Sequence, residues 1–290
     1  MADSDMSKVV ESPEDQRLRD FLDRHGRGFV VFMTGAGISS ESGVPTFRGT
    51  EGYWTVGSRN YQPQEAATYS MFSRHPRDIW AWYLYRRTVC ARARPNPAHY
   101  ALANLEKALG KRFLLITQNI DGLHLLAGNS AERTWQIHGN VHTMRCATGC
   151  GWSGPFPEEI GAHDRDDGLS DKTWQLLRCR GCGGLSRPHV LWFDECYDEQ
   201  HFRFESSLRA AAQADLLVVV GTSGATNLPV QVGAMAARQG AAVIDVNPDE
   251  NPFSGLALSL PDGLFCKGSA TDFVPAIATM LADAERHPNP

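Results

Sequence analysis

The chain has 290 residues, a formal net charge of −5 and seven cysteines. A chain of this length can bury one large core plus a smaller lobe. The charge, without a long basic run, argues against a nucleic-acid partner and leaves protein or small-molecule partners. No apolar run reaches the roughly 18 residues that a membrane span needs, so we expect no membrane partner.

The N-terminal segment is polar and acidic, and we predict a disordered tail over residues 1–13. It lacks the apolar core of a signal peptide and the Arg-rich bias of a transit peptide. The cysteines lie in a chain too large to need disulfide staples. We therefore expect a soluble protein of a reducing compartment, the cytoplasm.

The first elements are a short helix over Glu14–His25 and a buried strand over Phe29–Met33. Gly35 and Gly37 then allow a tight turn, and Ser39–Ser42 can begin a helix with a hydroxyl cap. A strand, a Gly-rich turn and a helix start together present backbone N–H groups to a phosphate. The third glycine of the usual dinucleotide fingerprint is absent, and a plain structural turn remains an alternative.

The following segment, Gly43–Gly49, is stiffened by a proline and carries an aromatic ring and a guanidinium. Such a segment is typical of a mobile cover over a ligand. Residues 50–94 are aromatic-rich and helical, with two prolines that interrupt the pattern. We interpret residues 50–94 as a helical lobe.

The rest of the chain alternates strands with helices. A helix from Asn96-Pro97 ends at Gly110. We predict strands over 113–116, 135–137, 189–193, 216–220 and 241–246 and a last one ending at Phe265, with helices over 198–212, 229–239 and 271–282. This alternation predicts an α/β fold with a doubly wound, parallel, Rossmann-like sheet. Its segments would be 14–49, 95–140 and 190–290.

Residues 141–189 break this alternation and contain two cysteine pairs, Cys146 with Cys150 and Cys179 with Cys182. Four thiolates at this spacing suit a tetrahedral, closed, structural Zn²⁺ site, although buried cysteines remain the plain alternative. We predict a small zinc-binding module inserted in the large domain, with no chemistry at the metal.

Residues that follow the ends of parallel strands line one crevice. Here these are 35–48, 117–121, 138–140, 221–223 and Asn247. One histidine, one aspartate, two amides and several hydroxyls would converge, as binding a dinucleotide and cutting one of its bonds requires. For His138 a structural histidine is the alternative to a catalytic one.

The chain resembles the sirtuin family, the NAD-dependent protein deacylases. The residues that carry the resemblance are GAGISSESGVPTFRG at 35–49, TQNIDGLH at 117–124, HGN at 138–140, the two cysteine pairs, RPHVLWF at 187–193, GTS at 221–223 and VN at 246–247. They occur in the family's order and cover roughly residues 28–281. The resemblance implies transfer of a lysine's acyl group onto NAD, with release of nicotinamide and O-acyl-ADP-ribose.

The resemblance also implies residue roles. His138 would be the general base, a task that a near-neutral pKa suits, and Asn119 would share the catalytic site. The covering loop, with Phe47 and Arg48, would exclude water. The expected cofactor-binding residues are Gly35, Ala36, Gly37, Ser39, Glu41, Pro45, Phe47, Arg48, Tyr53, Trp54, Gln118, Asn119, Ile120, Asp121, Gly221, Thr222, Ser223, Asn247, Pro248 and Ala270.

Tyr83 and Arg86 share one face of a helix, and a phenol with a guanidinium can hold a carboxylate. From the residues alone, an amphipathic helix with a solvent-facing arginine is the favoured interpretation. The resemblance reverses this, because sirtuins active on succinyl- and malonyl-lysine carry Tyr-x-x-Arg here, after a small residue that Ala67 matches. It also implies that Val190 and Trp192 flank the acyl-lysine stem of a protein substrate.

Some features depart from the family. The GTS segment continues without further Ser and Val residues, the first cysteine pair is wide, and the segment between the pairs is short and acidic. The alternatives are a plain deacetylase, an ADP-ribosyltransferase on the same scaffold and a non-catalytic sensor of NAD or ADP-ribose.

Overall fold

The computed structural model describes residues 13–44, 54–56, 59–61 and 63–286, with side chains described for 15–44 and 65–286. The predicted tail therefore lies outside the described residues, apart from Pro13, which begins the first helix. Within the described residues, no helix combines the length and the apolar character needed to cross a bilayer.

Eleven strands are described, which we number in chain order. They are β1 (Val30–Thr34), β2 (Trp54–Val56), β3 (Arg59–Tyr61), β4 (Phe113–Thr117), β5 (Thr134–Gln136), β6 (Gly139–Cys146), β7 (Ser153–Pro155), β8 (Ser186–Val190), β9 (Leu216–Val220), β10 (Ala242–Asn247) and β11 (Gly263–Lys267).

Thirteen α-helices are described between and beside these strands. They are α1 (Pro13–His25), α2 (Gly37–Ser40), α3 (Pro63–Ala66), α4 (Tyr69–Arg74), α5 (Pro76–Arg92), α6 (Pro97–Leu109), α7 (Leu123–Ala127), α8 (Asp171–Leu176), α9 (Glu199–Phe202), α10 (Phe204–Gln213), α11 (Asn227–Arg238), α12 (Pro252–Ser259) and α13 (Ala270–Arg286).

The main sheet has six parallel strands in the order β11-β10-β9-β1-β4-β5. Its central strands are buried along their whole length, as expected for a sheet covered on both faces. Helices α1, α6 and α13 cover one face, and α10, α11 and α12 cover the other. The doubly wound parallel sheet predicted from the sequence is confirmed.

Helix α6 begins where the sequence predicted. The side chain of Asn96 accepts hydrogen bonds from the backbone N–H groups of Ala98 and His99, and the His99 side chain in turn accepts one from the Asn96 backbone N–H. This capping box, with Pro97 in the first turn, fixes the helix start. Gly110 follows the helix with φ +55°, a value that favours glycine.

A third cluster of buried side chains lies outside the main sheet. It joins α4 and α5, which lie in the segment predicted as a helical lobe, to the antiparallel sheet β7-β6-β8 and to Trp192. The strand predicted over 189–193 is therefore wrong in two respects. It covers Ser186–Val190, and it pairs antiparallel with β6 instead of joining the parallel sheet.

Other differences are local. The helix predicted over 198–212 is two helices, because Arg203 adopts a left-handed conformation (φ 55°) between α9 and α10. The hairpin β2-β3 and the short helices α7 and α12 were not predicted. Asn251 caps α12 just as Asn96 caps α6, and an Asn-Pro pair marks both starts. The sequence therefore carried a signal for α12 that was missed.

Candidate active site

The parallel strands of the main sheet all end at the same edge. The chain runs from β1 to β4 and β5 on one side and later returns to β9 and β10 on the other. The switch point of the sheet therefore lies between the ends of β1 and β9. In open α/β sheets a ligand crevice is expected at such a point.

Two glycine-containing loops meet at this switch point. Gly35 N donates to Val220 O at 2.9 Å, and Gly37 N donates to Gly221 O at 2.8 Å. A Cβ added to Gly37 would lie 2.6 Å from the Gly221 Cα. These glycines are required because the two backbones touch, which leaves a narrow cradle of main chain at the crevice.

Helix α2 differs from its prediction. It begins at Gly37 rather than at Ser39, and no side chain caps it. The Ser39 hydroxyl instead donates to Asp121 Oδ2 at 2.8 Å. Asn119 Nδ2 donates both to Ser39 Oγ at 3.1 Å and to Gly35 O at 3.0 Å. Ser39, Asn119 and Asp121 thus form one buried polar cluster that joins the ends of β1 and β4.

Asp121 is buried, and its carboxylate is oriented by its neighbours. Burial raises its pKa, while hydrogen bonds from Leu123 N and Ser39, and the nearby His142 and Arg86, act in the opposite direction. The Leu123 N–H donates to Oδ1 at 2.9 Å. A fixed carboxylate of this kind can accept a hydrogen bond from an amide NH₂ of a ligand.

A second network of hydrogen-bonded polar side chains links the ends of β4, β9 and β10. Gln118 Nε2 donates to Thr222 Oγ1 at 2.8 Å, and Thr226 Oγ1 donates to Gln118 Oε1 at 3.0 Å. Asn247 Nδ2 donates to Thr222 O at 3.3 Å and to Asp245 Oδ1 at 2.8 Å. The predicted residues at these three strand ends therefore lie in one connected network.

His138 follows β5 and is half-buried. Its Nε2 lies 2.7 Å from the Tyr197 hydroxyl. Burial lowers the pKa of His138 to about 4, and a hydrogen bond to the Gln118 backbone opposes this shift. Burial thus places the pKa of His138 below the near-neutral range that suits a general base, because the protein around the ring removes solvent. The imidazole is neutral at physiological pH and can accept a proton.

Tyr83 and Arg86 are both buried on α5. Arg86 lines a pocket with Ser39, Asn119 and Asp121. The Tyr83 hydroxyl accepts a hydrogen bond from Trp192 Nε1 at 2.8 Å, and burial raises its pKa although the charges of Arg187 and Arg86 oppose this. Arg86 is thus buried rather than solvent-facing, which contradicts the interpretation made from the residues alone.

The remaining residues predicted to hold the substrate surround Trp192. Ala67 is buried, and its carbonyl oxygen accepts a hydrogen bond from Phe193 N at 2.9 Å. Val190 is buried at the end of β8. The structure therefore brings Ala67, Val190, Trp192 and Tyr83 into one apolar cluster beside the Arg86 pocket.

The four predicted metal ligands come together. The sulfur atoms of Cys146, Cys150, Cys179 and Cys182 all lie within 4.8 Å of one another. The pairs Cys146–Cys182 and Cys150–Cys179 are 3.7 and 3.5 Å apart. Four sulfurs about 2.3 Å from one zinc ion would lie about 3.8 Å apart, so this cluster can hold zinc in a closed tetrahedral site.

Other predicted residues fall in different places. Glu41 is exposed, and its carboxylate accepts a hydrogen bond from Thr271 Oγ1 at 2.6 Å at the start of α13, next to Ala270. Ser223 and Pro248 are exposed at the crevice edge, while Ala36 and Ile120 line the Arg86 pocket. Pro45, Phe47, Arg48 and Tyr53 lie outside the described residues, and of Trp54 only the strand is described.

Sequence reasoning missed several polar residues of the site. Tyr197 and Thr226 belong to no motif, and their contacts with His138 and Gln118 join distant parts of the chain. His99 and His124 form a buried pair beneath the cluster, with ring centroids 4.8 Å apart. The position of His124 in TQNIDGLH was a signal for that residue, whereas nothing in the sequence pointed to Tyr197.

Comparison with known proteins gives a consistent result. Residues 35–227 match the family model described as the Sir2 family. An NAD-dependent protein deacylase of Leptospira interrogans is 36% identical over 92% of this chain and 99% of its own length. An NAD-dependent protein deacylase of Thermus thermophilus is 41% identical over 81% of this chain and 85% of its own length.

Among solved structures, a complex of a Sir2 homologue with NAD superposes with a TM-score of 0.75. That structure is 30% identical to this chain, and the match covers 95% of this chain and 96% of the other.

Proposed function

Because this chain belongs to the Sir2 family, we propose that it is an NAD-dependent protein-lysine deacylase that prefers succinyl and malonyl groups to acetyl. The family-level activity is the one named for its relatives. The preference for acidic acyl groups is inferred from this chain's own residues. The observation that supports it is the buried position of Arg86 in a pocket with Asn119 and Asp121.

The residues of the crevice fit NAD. The cradle of Gly35, Gly37 and Gly221 at the switch point suits a pyrophosphate, since no side chain stands between the ligand and the main chain. The amide and hydroxyl groups of Gln118, Thr222 and Asn247 would hold the riboses. The cofactor supplies a ribose carbon from which nicotinamide can leave.

The polar cluster at the end of β4 would hold the reacting end of the cofactor. Asp121 can accept a hydrogen bond from the carboxamide NH₂, and Asn119 is fixed by its hydrogen bonds to Ser39 and Gly35. The neutral His138 would take the proton of a ribose hydroxyl after the acyl oxygen has bonded to the ribose. The covering loop that would exclude water lies mostly outside the described residues.

The acyl group would lie against α5. Arg86 lines a pocket with Asn119 and Asp121, and its charge acts on the Asp121 carboxylate. A carboxylate on the acyl chain would pair with this charge, and a bidentate bond would favour it over a methyl group. Tyr83, one turn before Arg86 on α5, is buried beside Trp192, and its raised pKa keeps it protonated.

The acylated lysine of a protein substrate would enter past Val190 and Trp192. Both side chains are buried and apolar, which suits the methylene stem of the lysine. The zinc ion would act structurally, since four cysteines complete its shell and leave no position for a reacting water. A cytoplasmic location belongs to the same proposal and is supported by the free cysteines.

The test compares Arg86→Met with wild type on succinyl-lysine and acetyl-lysine peptides in the presence of NAD. Losing a charge-assisted hydrogen bond should reduce desuccinylation by about 10- to 100-fold, while deacetylation changes less than about threefold. Arg87→Met is the matched control. Arg87 is on the same helix, lies over Phe156 and donates to Ile160 O, outside the pocket. Equal loss of both activities in Arg86→Met would rule out the acidic preference.

The products separate the other candidates. Deacylation yields a peptide with an unmodified lysine, nicotinamide and O-acyl-ADP-ribose, ADP-ribosyl transfer yields a labelled protein, and a sensor yields none of these. The intact set of Asn119, Asp121 and His138 favours deacylation over a sensor.

A further inference from the structure

Both ring nitrogens of His138 are engaged by polar groups. Nε2 lies 2.7 Å from the Tyr197 hydroxyl, and a hydrogen bond with the Gln118 backbone raises the pKa of the ring. A backbone group that raises the pKa of an imidazole accepts a hydrogen bond from it, which favours the proton on Nδ1. In a neutral imidazole Nε2 is then the accepting nitrogen, and the Tyr197 hydroxyl donates to it.

Tyr197 is itself held in place. Its ring stacks on Phe204 with centroids 6.3 Å apart and packs against the core beneath β1, β4 and β9. Its hydroxyl also lies beside Thr226, whose own hydroxyl donates to Gln118 Oε1. Gln118 thus lies at both ends of the network, through its backbone at His138 and through its side chain at Thr226.

We propose that Tyr197 is a positioning residue that fixes the tautomer and orientation of His138. Its hydroxyl keeps Nε2 as the accepting nitrogen, and it yields that nitrogen to a ribose hydroxyl during the reaction. The base role of His138 rests on the proposed function, whereas the tautomer does not. In the proton transfer, the ribose O–H bond breaks, Nε2 gains the proton, Nδ1 keeps its own, and Tyr197 stays protonated.

The electrostatics of the pair agree with this role. Burial raises the pKa of Tyr197 to about 12, so the phenol remains a donor at neutral pH. Donation to Nε2 stabilises the neutral imidazole, in the same direction as burial. Among the described residues, polar contacts to the ring come from Tyr197, in the loop before α9, and from Gln118, after β4. No charged side chain among them contributes to the shift of the His138 pKa.

The test is ¹⁵N NMR of the histidine rings in the full-length protein without NAD or peptide. A His138→Gln variant assigns the signals. Wild type should show His138 as a single tautomer with the proton on Nδ1. Tyr197→Phe keeps the ring against Phe204 but removes the donor. It should show mixed tautomers and a His138 pKa higher by about 0.5–1 unit.

Tyr100→Phe is the matched control, since Tyr100 is an exposed phenol on α6. It should leave the tautomer and the pKa unchanged. In kinetics, Tyr197→Phe should lower kcat by about 3- to 10-fold, leave the KM for NAD within about twofold, and move the acidic limb of kcat/KM to higher pH.

A wild-type ring protonated on Nε2, or a Tyr197→Phe ring identical to wild type, would overturn the proposal. If the variant does not fold, the wild-type spectrum still tests the tautomer, and a proton on Nε2 would overturn the proposal. If the NMR result is as expected but no acyl-lysine peptide is processed, the positioning stands and the proposed function fails.

Discussion

Arg187 stacks on the indole of Trp192, with its guanidinium carbon 3.6 Å from the ring centroid. The same guanidinium pairs with Glu195, at 2.7 Å from Nη2 to Oε2, and Glu195 also accepts a hydrogen bond from Trp192 N. Trp192 in turn donates to Tyr83. The buried ion pair therefore supports the wall of the proposed acyl pocket.

Replacing Arg187 with methionine should destabilise the protein by about 3 kcal/mol, because it leaves the mostly buried Glu195 without its main partner. Arg145, 3.6 Å from Glu195, would offset only part of this loss. Urea unfolding measures the effect. The double variant Arg187→Met/Glu195→Gln should recover much of the stability, and a double variant as unstable as the single one would contradict this account.

The contact between Gly37 and Gly221 leads to a second prediction. In Gly37→Ala the new Cβ would clash with backbone, so the two loops must separate, at a cost of about 1–3 kcal/mol. NAD binding measured by calorimetry should weaken strongly. Gly255→Ala is the control, since a Cβ there meets nothing within 4 Å and α12 gains helix propensity. Normal NAD affinity in Gly37→Ala would show that the cradle is not the binding site.

The cysteine cluster predicts one structural zinc ion per chain. Cys150→Ser removes one of four ligands, so the purified protein should lose its zinc and unfold at a lower temperature. Mass spectrometry of the metal and a thermal melt measure the two effects. Cys196→Ser, which changes an exposed cysteine outside the cluster, should retain both. Full zinc content in Cys150→Ser would refute the site.

The buried His99–His124 pair predicts a pH-dependent stability. Burial lowers the pKa of His99 to about 4, and burial together with His99 lowers that of His124 well below its ordinary value. In the unfolded chain both would titrate near 6.5, so the unfolded state binds more protons below that pH. Stability from these residues is therefore present above pH 6.5 and is lost as the pH falls.

His124→Gln isolates this effect, because the glutamine can still bond to Thr34 Oγ1, the partner of His124 Nε2. Between pH 7 and pH 5, wild type should lose about 2 kcal/mol more of its unfolding free energy than the variant. Denaturant unfolding at both pH values gives the comparison. Any change in zinc binding between the two pH values affects wild type and the variant equally, so it cancels in the difference. Parallel pH curves would mean that His124 is not held neutral by the fold.

The elements best predicted from the sequence were those whose burial is uniform. Strands β1, β4, β9 and β10 are buried along their length, and each was placed within about one residue of its observed bounds. β8 (Ser186–Val190) was assigned to the wrong sheet, because its sequence indicates that it is buried but not which strand it pairs with. The break at Arg203 was missed because no glycine marks the left-handed residue.

The residues of the candidate active site also divide into those that the sequence predicted and those that it did not. Residues at the ends of parallel strands were found, since the topology brings those ends together. Tyr197 could not be found, because its contact with His138 depends on where α9 and the preceding loop pack. The pKa of His138 likewise depends on the solvent that the fold excludes, which no local pattern records.

The most direct test of the account compares wild type with His138→Ala. It measures the rate at which each protein, supplied with NAD, removes the succinyl group from a succinyl-lysine peptide. A general base contributes about 10²- to 10⁴-fold, so the variant should be at least about 100-fold slower. Its NAD affinity, measured by calorimetry on the same samples, should stay within a few-fold of wild type. An undiminished rate of succinyl removal in His138→Ala would contradict the account.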